Sequence, residues 1–212
     1  LSELPKERHE KPMLSLNKTK SVDELKEWLG AQKGLLSWKM DGLTVVLTYE
    51  NGTLSKAVTR GNGEIGEVIT ANARTFVNLP MSIPYKERLI LRGEAVITYS
   101  DFKKLNESID DVDARYKNPR NLCSGSVRQL NSRITAERNV RFMEFSLVQA
   151  DGIDFHNSRK EQFIWLSGLG FETVEFVEVT AENLSEAVAG FAKRIEDNDI
   201  PSDGLVLLYD DI

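Results

Sequence analysis

The sequence predicts an α+β fold, with antiparallel sheets flanked by helices, and three observations carry that reading. Strand-like runs follow one another in short groups instead of alternating strictly with helices, which disfavours a doubly wound parallel sheet. Asn51-Gly52, set between two apolar runs, is the strongest hairpin signal in the chain. The 212 residues, 41% of them hydrophobic, suffice for one ordinary core, and no repeat, low-complexity tract or linker divides them. One domain, residues 1–212, is expected.

Taken in order, Ser21-Val22-Asp23-Glu24 is a capping box opening a helix that carries Leu25 and Leu29. Leu35 to Met40 and Leu43 to Tyr49 read as strands, and the Asn51-Gly52 turn folds Leu54 to Thr59 back on the second. A glycine-rich loop from Gly61 to Gly66 leads to a short helical patch ending near Arg74. Leu89 to Thr98 reads as a strand, and Ser100 is placed as the cap of a helix beginning at Asp101. Asn118-Pro119 sets proline in the first turn of a helix reaching about Leu130, and Phe142 to Gln149 is a strand. The last third reads helix (Ser158 to Leu169, closed by Gly170), strand (Thr173 to Val179), helix (Glu182 to Glu196) and strand (Leu205 to Tyr209).

Composition narrows the function classes. No apolar run reaches the length of a membrane span, and the first twelve residues are polar and charged, so an intracellular soluble protein with no membrane partner is expected. A single cysteine, Cys123, excludes an internal disulfide framework and a cysteine-cluster metal site. His9 and His156 have no second ligand at metal spacing, so zinc is not expected. Net charge is −6, yet residues 115–141 hold seven basic residues against Glu137 alone. Such a stretch in an acidic chain suits a face that meets phosphate, or a surface whose charges pair locally. Asp110, Asp111 and Asp113 fit a helix-exit loop better than a cation site. The run Gly61 to Gly66 mimics a dinucleotide fingerprint but lacks the βαβ unit that gives that motif its meaning.

The most informative residue is Lys39, a lysine inside a strand-like apolar run. Strand alternation puts Leu36, Trp38 and Met40 on one face, as core, and Ser37, Lys39 and Asp41 on a wetter face. Gly42 permits close approach of backbone or ligand behind it. A lysine held on a rigid strand among cations can serve as a nucleophile.

Lys39-Met-Asp-Gly42 is a Lys-x-Asp-Gly motif. With it come His9-Glu-Lys-Pro-Met-Leu-Ser-Leu16, Thr59-Arg-Gly-Asn-Gly63 with Gly66-Glu67, Leu91-Arg-Gly-Glu94, and Asn118-Pro-Arg-Asn121 with Gly125-Ser-Val-Arg-Gln-Leu130. In that order and spacing the sequence closely resembles the adenylation domain of bacterial NAD-dependent DNA ligases. The resemblance implies an ATP-grasp-like covalent nucleotidyltransferase domain that takes NAD, through its AMP moiety, and Mg2+. The implied partner is nicked double-stranded DNA, served by a monomer in the bacterial cytoplasm. It implies that Lys39 attacks NAD, releases nicotinamide mononucleotide and becomes lysyl-AMP, with the AMP then passed to the 5′-phosphate of a nick. Glu94 is implied as the ribose-hydroxyl acceptor, Arg60 as an AMP contact, and Ser15 and Leu16 as neighbours of the nucleotide. Phe145 matches an aromatic that stacks on adenine, with core packing as the alternative. Arg120 and Arg128, eight apart, match arginines that meet phosphates of the mononucleotide or of nicked DNA.

Two positions depart from the family pattern. Ser37 stands where a glutamate reaching the adenine is common, and Leu208 stands where the family has a lysine contacting the adenylate. Both lie in the implied nucleotide site. Losing one charge of each sign together avoids an unpaired buried ion. The family's mononucleotide-binding module is expected to precede residue 1. Its oligonucleotide-binding, zinc, helix-hairpin-helix and C-terminal recognition domains are expected beyond residue 212. The rival readings are an ATP-using covalent nucleotidyltransferase and a weakened or non-catalytic nucleic-acid-binding relative.

Overall fold

The structure is a computed structural model that describes Leu4, the backbone of Lys6–Arg8, and residues 21–212. His9, Ser15 and Leu16 lie outside the described residues.

The larger sheet holds four antiparallel strands in the order β4-β3-β6-β7: β3 Leu43–Glu50, β4 Thr53–Thr59, β6 Leu89–Val96 and β7 Arg141–Ala150. Asn51 (φ 51°) and Gly52 (φ 81°) make the hairpin joining the first two, the positive φ pair that the Asn-Gly sequence favours. Alternation along β3 explains the layering. Val45, Leu47 and Tyr49 are fully buried on one face with Ala57, Leu89, Leu91, Ala95 and Phe142. Each large apolar side chain so buried contributes roughly 1.5–3 kcal/mol. Helix α2 (Thr70–Ala73), α4 (Pro119–Val127) and α6 (Arg159–Gly168) close this core through Ala73, Leu122, Cys123, Val127 and Leu166. The Cys123 thiol is fully buried and donates to the Ala95 carbonyl, 3.1 Å away. Thr44, Val46, Ile90, Arg92 and Glu94 occupy the opposite face.

A three-stranded antiparallel sheet, ordered β8-β2-β9, carries the second core: β2 Gly34–Met40, β8 Phe176–Val179 and β9 Ser202–Tyr209. Leu36 and Trp38 are buried with Val174, Val179, Leu184 and Phe191, under α1 (Val22–Leu29) and α7 (Leu184–Lys193). Trp38 meets Phe191 edge to face at 4.8 Å. Met40 packs on the same cluster, so the expected core face is observed. The expected wetter face is wet only at its end. Leu35 is 1% and Ser37 8% exposed, because β2 is paired on both sides and shielded there.

Several boundaries moved for local reasons. Thr98, not Ser100, caps α3 (Tyr99–Glu107), its hydroxyl accepting from Asp101 N at 3.1 Å. The helix expected to reach Leu130 stops at Val127, because Asn72 donates its amide to the Val127 and Gln129 carbonyls, both at 2.7 Å. A separate α5 (Ser132–Ala136) follows. Part of the glycine-rich segment is β5 (Ile65–Glu67), paired with β1 (Lys6–Arg8). Strand pairing in the β8 region begins at Phe176 instead of Thr173, and Val174 bonds the Glu144 carbonyl.

Candidate active site: a lysine at the junction of two sheets

Lys39 sits one residue from the end of β2, the central strand of the smaller sheet. β2 is paired on both edges only as far as Ser37, so Lys39 extends past the β8 edge, and its side chain keeps 34% exposure. The β2–β9 ladder slips here. Trp38 pairs with Leu205, but Met40 pairs with Ser202, so Asp203 and Gly204 supply an extra residue. Gly204 takes φ 152°, a conformation open to glycine. This bulge brings the Asp203 carboxylate to 3.9 Å from Lys39 Nζ.

The two sheets join through Asp41-Gly42. A Cβ on Gly42 would lie 2.0 Å from the Ala95 carbonyl oxygen, so only glycine lets β2 pass this close to β6. The Gly42 N–H donates to Glu94 Oε2 at 3.0 Å, and Thr44 Oγ1 donates to Oε1 at 2.7 Å. Glu94 is 8% exposed, and burial pushes its pKa up to about 7. The Thr44 and Gly42 bonds oppose that shift, nearby Asp41 adds to it, and Arg60 reduces it. An ionised carboxylate still has lone pairs for ligand hydroxyls after two such bonds. Arg60 leaves the end of β4 with its N–H on the Thr44 carbonyl at 2.8 Å, and its charge reaches both Glu94 and Arg92.

Ser37 and Leu208 lie on the same face as Lys39. Ser37 pairs with Val206, and Leu208 with Leu35, which makes Ser37 and Leu208 diagonal neighbours on adjacent strands. Phe145 is the unpaired residue where the β6–β7 register shifts, and it packs half-buried against the second core. Its ring therefore bridges the sheets and packs in the second core. The neighbouring Glu144 is fully buried. It accepts from Thr173 Oγ1 at 3.0 Å, its other oxygen has no partner, and burial raises its pKa to about 8.

The two predicted phosphate-binding arginines are both engaged by carboxylates. Arg120 Nε lies 3.6 Å from Asp41, beside the Lys39 motif. Arg128 is the C-cap of α4 and clamps Glu67 at 2.7 Å through Nε and Nη2. Lys39, Asp41, Glu94, Arg60 and Arg120 thus converge, with Ser37 and Leu208 along the adjoining face. Sequence reasoning gave no role to Thr44, which nothing local marks, or to Asp203, which opens the Asp-Gly run ending at Leu208. Among the described residues, no three histidine, cysteine, aspartate or glutamate side chains group closely enough to hold a metal ion. No described helix is long and apolar enough to cross a membrane.

Comparison with known proteins bears on this arrangement. The family described as "NAD-dependent DNA ligase adenylation domain" matches residues 1–212. The DNA ligase of Ruminiclostridium cellulolyticum is 66% identical over 212 residues, covering 100% of this chain and 32% of that protein. The DNA ligase of Lachnoclostridium phytofermentans is 63% identical with the same coverage. The chain spans about a third of the length of these curated relatives. Among solved structures, an archaeal ATP-dependent RNA ligase shares the fold, with a TM-score of 0.55 at 15% identity over 94% of this chain and 45% of that one.

Proposed function

This chain belongs to the NAD-dependent DNA ligase adenylation domain family, and from that premise we propose that it forms lysyl-AMP on Lys39 and passes the AMP to nicked DNA within a longer protein. Lys39 Nζ attacks the α-phosphorus of NAD. A P–N bond forms, the pyrophosphate P–O bond breaks, and nicotinamide mononucleotide leaves with the electron pair. The 5′-phosphate of a nick then attacks the same phosphorus and frees Lys39. Finally the 3′-hydroxyl attacks the DNA-adenylate and expels AMP.

The observation that supports this reading most is the geometry around Lys39. β2, paired with β9 on one edge and with β8 as far as Ser37 on the other, carries the amine, and Asp203 stands 3.9 Å from it. Glu94 stands across the Gly42 junction, where its remaining lone pairs can hold the ribose hydroxyls. Ser15 and Leu16 are proposed to lie beside the nucleotide, and Phe145 to stack on the base once it enters. Arg120 and Arg128 would exchange their carboxylates for phosphates of the mononucleotide or the nick. Magnesium would ride on phosphate oxygens and water. The working form is proposed to be a monomer in the bacterial cytoplasm.

A second reading, a weakened enzyme, draws on the neutral pair Ser37 and Leu208 in the nucleotide-side face. Mass spectrometry of the full-length protein after incubation with NAD or with ATP decides among them. An AMP adduct on Lys39 formed from NAD alone is expected. Equal labelling from ATP would favour an ATP-using enzyme, and no labelling from either would leave a binding module.

A further inference from the structure

Beside the Glu94 face of the larger sheet stand two guanidinium groups that the proposed chemistry leaves without a role. Arg92 lies two residues before Glu94 on β6 and projects from the same sheet face, roughly 7 Å further in. Its Nη2 donates to Ser146 Oγ, 3.2 Å away across the β6–β7 ladder, while its buried Nε has no partner. Arg159 opens α6, with its N–H on the Asp210 carbonyl at 2.8 Å, just past the end of β9. Its buried Nε is also without a partner. Among the described residues, no carboxylate pairs with either guanidinium. The two charges stand close enough that Arg159, after burial itself, is the main influence lowering the pKa of Arg92, with Arg60 next.

Like charges held together, half-buried and incompletely bonded, are costly unless a ligand completes them. A guanidinium offers donors only, so the ligand atoms it takes must be acceptors. The facing sheet presents Ser37, Val206 and Leu208 here, and its one nearby carboxylate, Glu178 level with Leu35 and Leu208, is already held by Lys160 at 3.1 Å. α6 closes the inner end, its Phe163 against Phe176 of β8 at 5.0 Å and its Leu166 in the main core. A nucleotide whose phosphorus meets Lys39 and whose sugar meets Glu94 places its base next along this path.

We propose that Arg92 and Arg159 read the adenine base, their incompletely bonded guanidinium groups donating to its ring-nitrogen acceptors. This rests on the lysyl-AMP reading above. It makes a second pair of side chains, on the wall opposite Ser37 and Leu208, responsible for base selection.

The test is self-adenylation of the full-length protein with NAD, with its hypoxanthine analogue, in which N1 carries a hydrogen, and with its 7-deaza analogue, which lacks N7. The parent is expected to prefer NAD over at least one analogue by about tenfold or more in kcat/KM, the effect of losing one charge-assisted hydrogen bond. Arg159→Met should raise KM for NAD more than it lowers kcat and bring that preference within about threefold, whereas Arg159→Lys, which keeps a donor, should retain most of it. Which analogue responds identifies N1 or N7. Arg92→Met is a second probe, with melting temperature confirming that each variant folds. If both preferences survive in folded Arg159→Met and Arg92→Met, or if the parent shows none, the base-reading role is wrong. Absence of any Lys39 adduct in the parent would instead refute the adenylation reading itself.

Discussion

Lys39 and Asp203 face each other at 3.9 Å where the β2–β9 ladder slips by one residue. Their side chains are 34% and 49% exposed, so the pair is worth at most about 1 kcal/mol to stability. Its importance lies in placement: the same bulge that displaces Asp203 holds a carboxylate beside the amine.

Lys39→Ala and Lys39→Arg should therefore fold with melting temperatures near that of the parent. Both should lose adenylation by about 10³-fold or more, since neither leaves an amine nucleophile. Transfer of label from NAD to either folded variant would rule Lys39 out as the nucleophile.

Ser37 and Leu208 are diagonal neighbours on one sheet face, so charges introduced there should feel each other. Leu208→Lys alone should lower the melting temperature, because its ammonium enters an apolar strand of Leu205, Val206 and Leu207. Adding Ser37→Glu should recover part of the loss, with a coupling of about 0.5–3 kcal/mol in a double-mutant cycle. Strict additivity in stability and in adenylation rate would show that the two side chains do not meet.

Glu144 gives a pH prediction with a definite sign. An unfolded glutamate titrates near 4.3, and burial raises the folded group to about 8. Between those values the folded state binds the extra proton, so stability falls as pH rises through the window and stays low above it. Glu144→Gln removes this titration and should gain on the parent by up to a few kcal/mol as pH rises from 4 to 9. The check is melting temperature against pH for both proteins, and parallel curves would contradict it.

Arg120 and Arg128 should differ on substitution although both are proposed to meet phosphate. Arg120 is 64% exposed, so Arg120→Ala should cost under about 0.5 kcal/mol of stability. It should also reduce the salt slope of nicked-DNA binding by about 1. Arg128→Ala should do the same to the slope but also lower the melting temperature, because it strands Glu67, which is only 19% exposed. Binding titrations at several salt concentrations test both, and an unchanged slope in either variant removes that arginine from the DNA interface.

Much of this was legible where the signal is local. Ser21 accepts from Glu24 N as the capping box requires, and Asn118 caps α4 from just before Pro119. The Asn51-Gly52 hairpin and the alternation along β3 also follow from neighbouring residues. The family motifs brought Lys39, Glu94, Arg60 and Arg120 to one place in the fold. What stayed hidden depends on contacts between distant segments. The end of α4 is set by Asn72, 55 residues before Val127. Arg159 reaches Arg92 only because Asp210 anchors the start of α6, and the Asp203 bulge appears only once β9 is paired with β2. No window of sequence contains either relationship.

The Cys123 thiol, sealed between α4 and the Ala95 carbonyl, has a further use. Burial raises its pKa well above that of an ordinary thiol, so almost no reactive thiolate exists in the folded protein. It is also the domain's sole cysteine. A maleimide or disulfide reagent can therefore label this domain only when α4 lifts from β6, and the labelling rate becomes a clock for that opening. Since Arg120 lies in α4 and Arg128 caps it, slower labelling in the presence of nicked DNA would register how firmly bound DNA clamps the helix to the sheet.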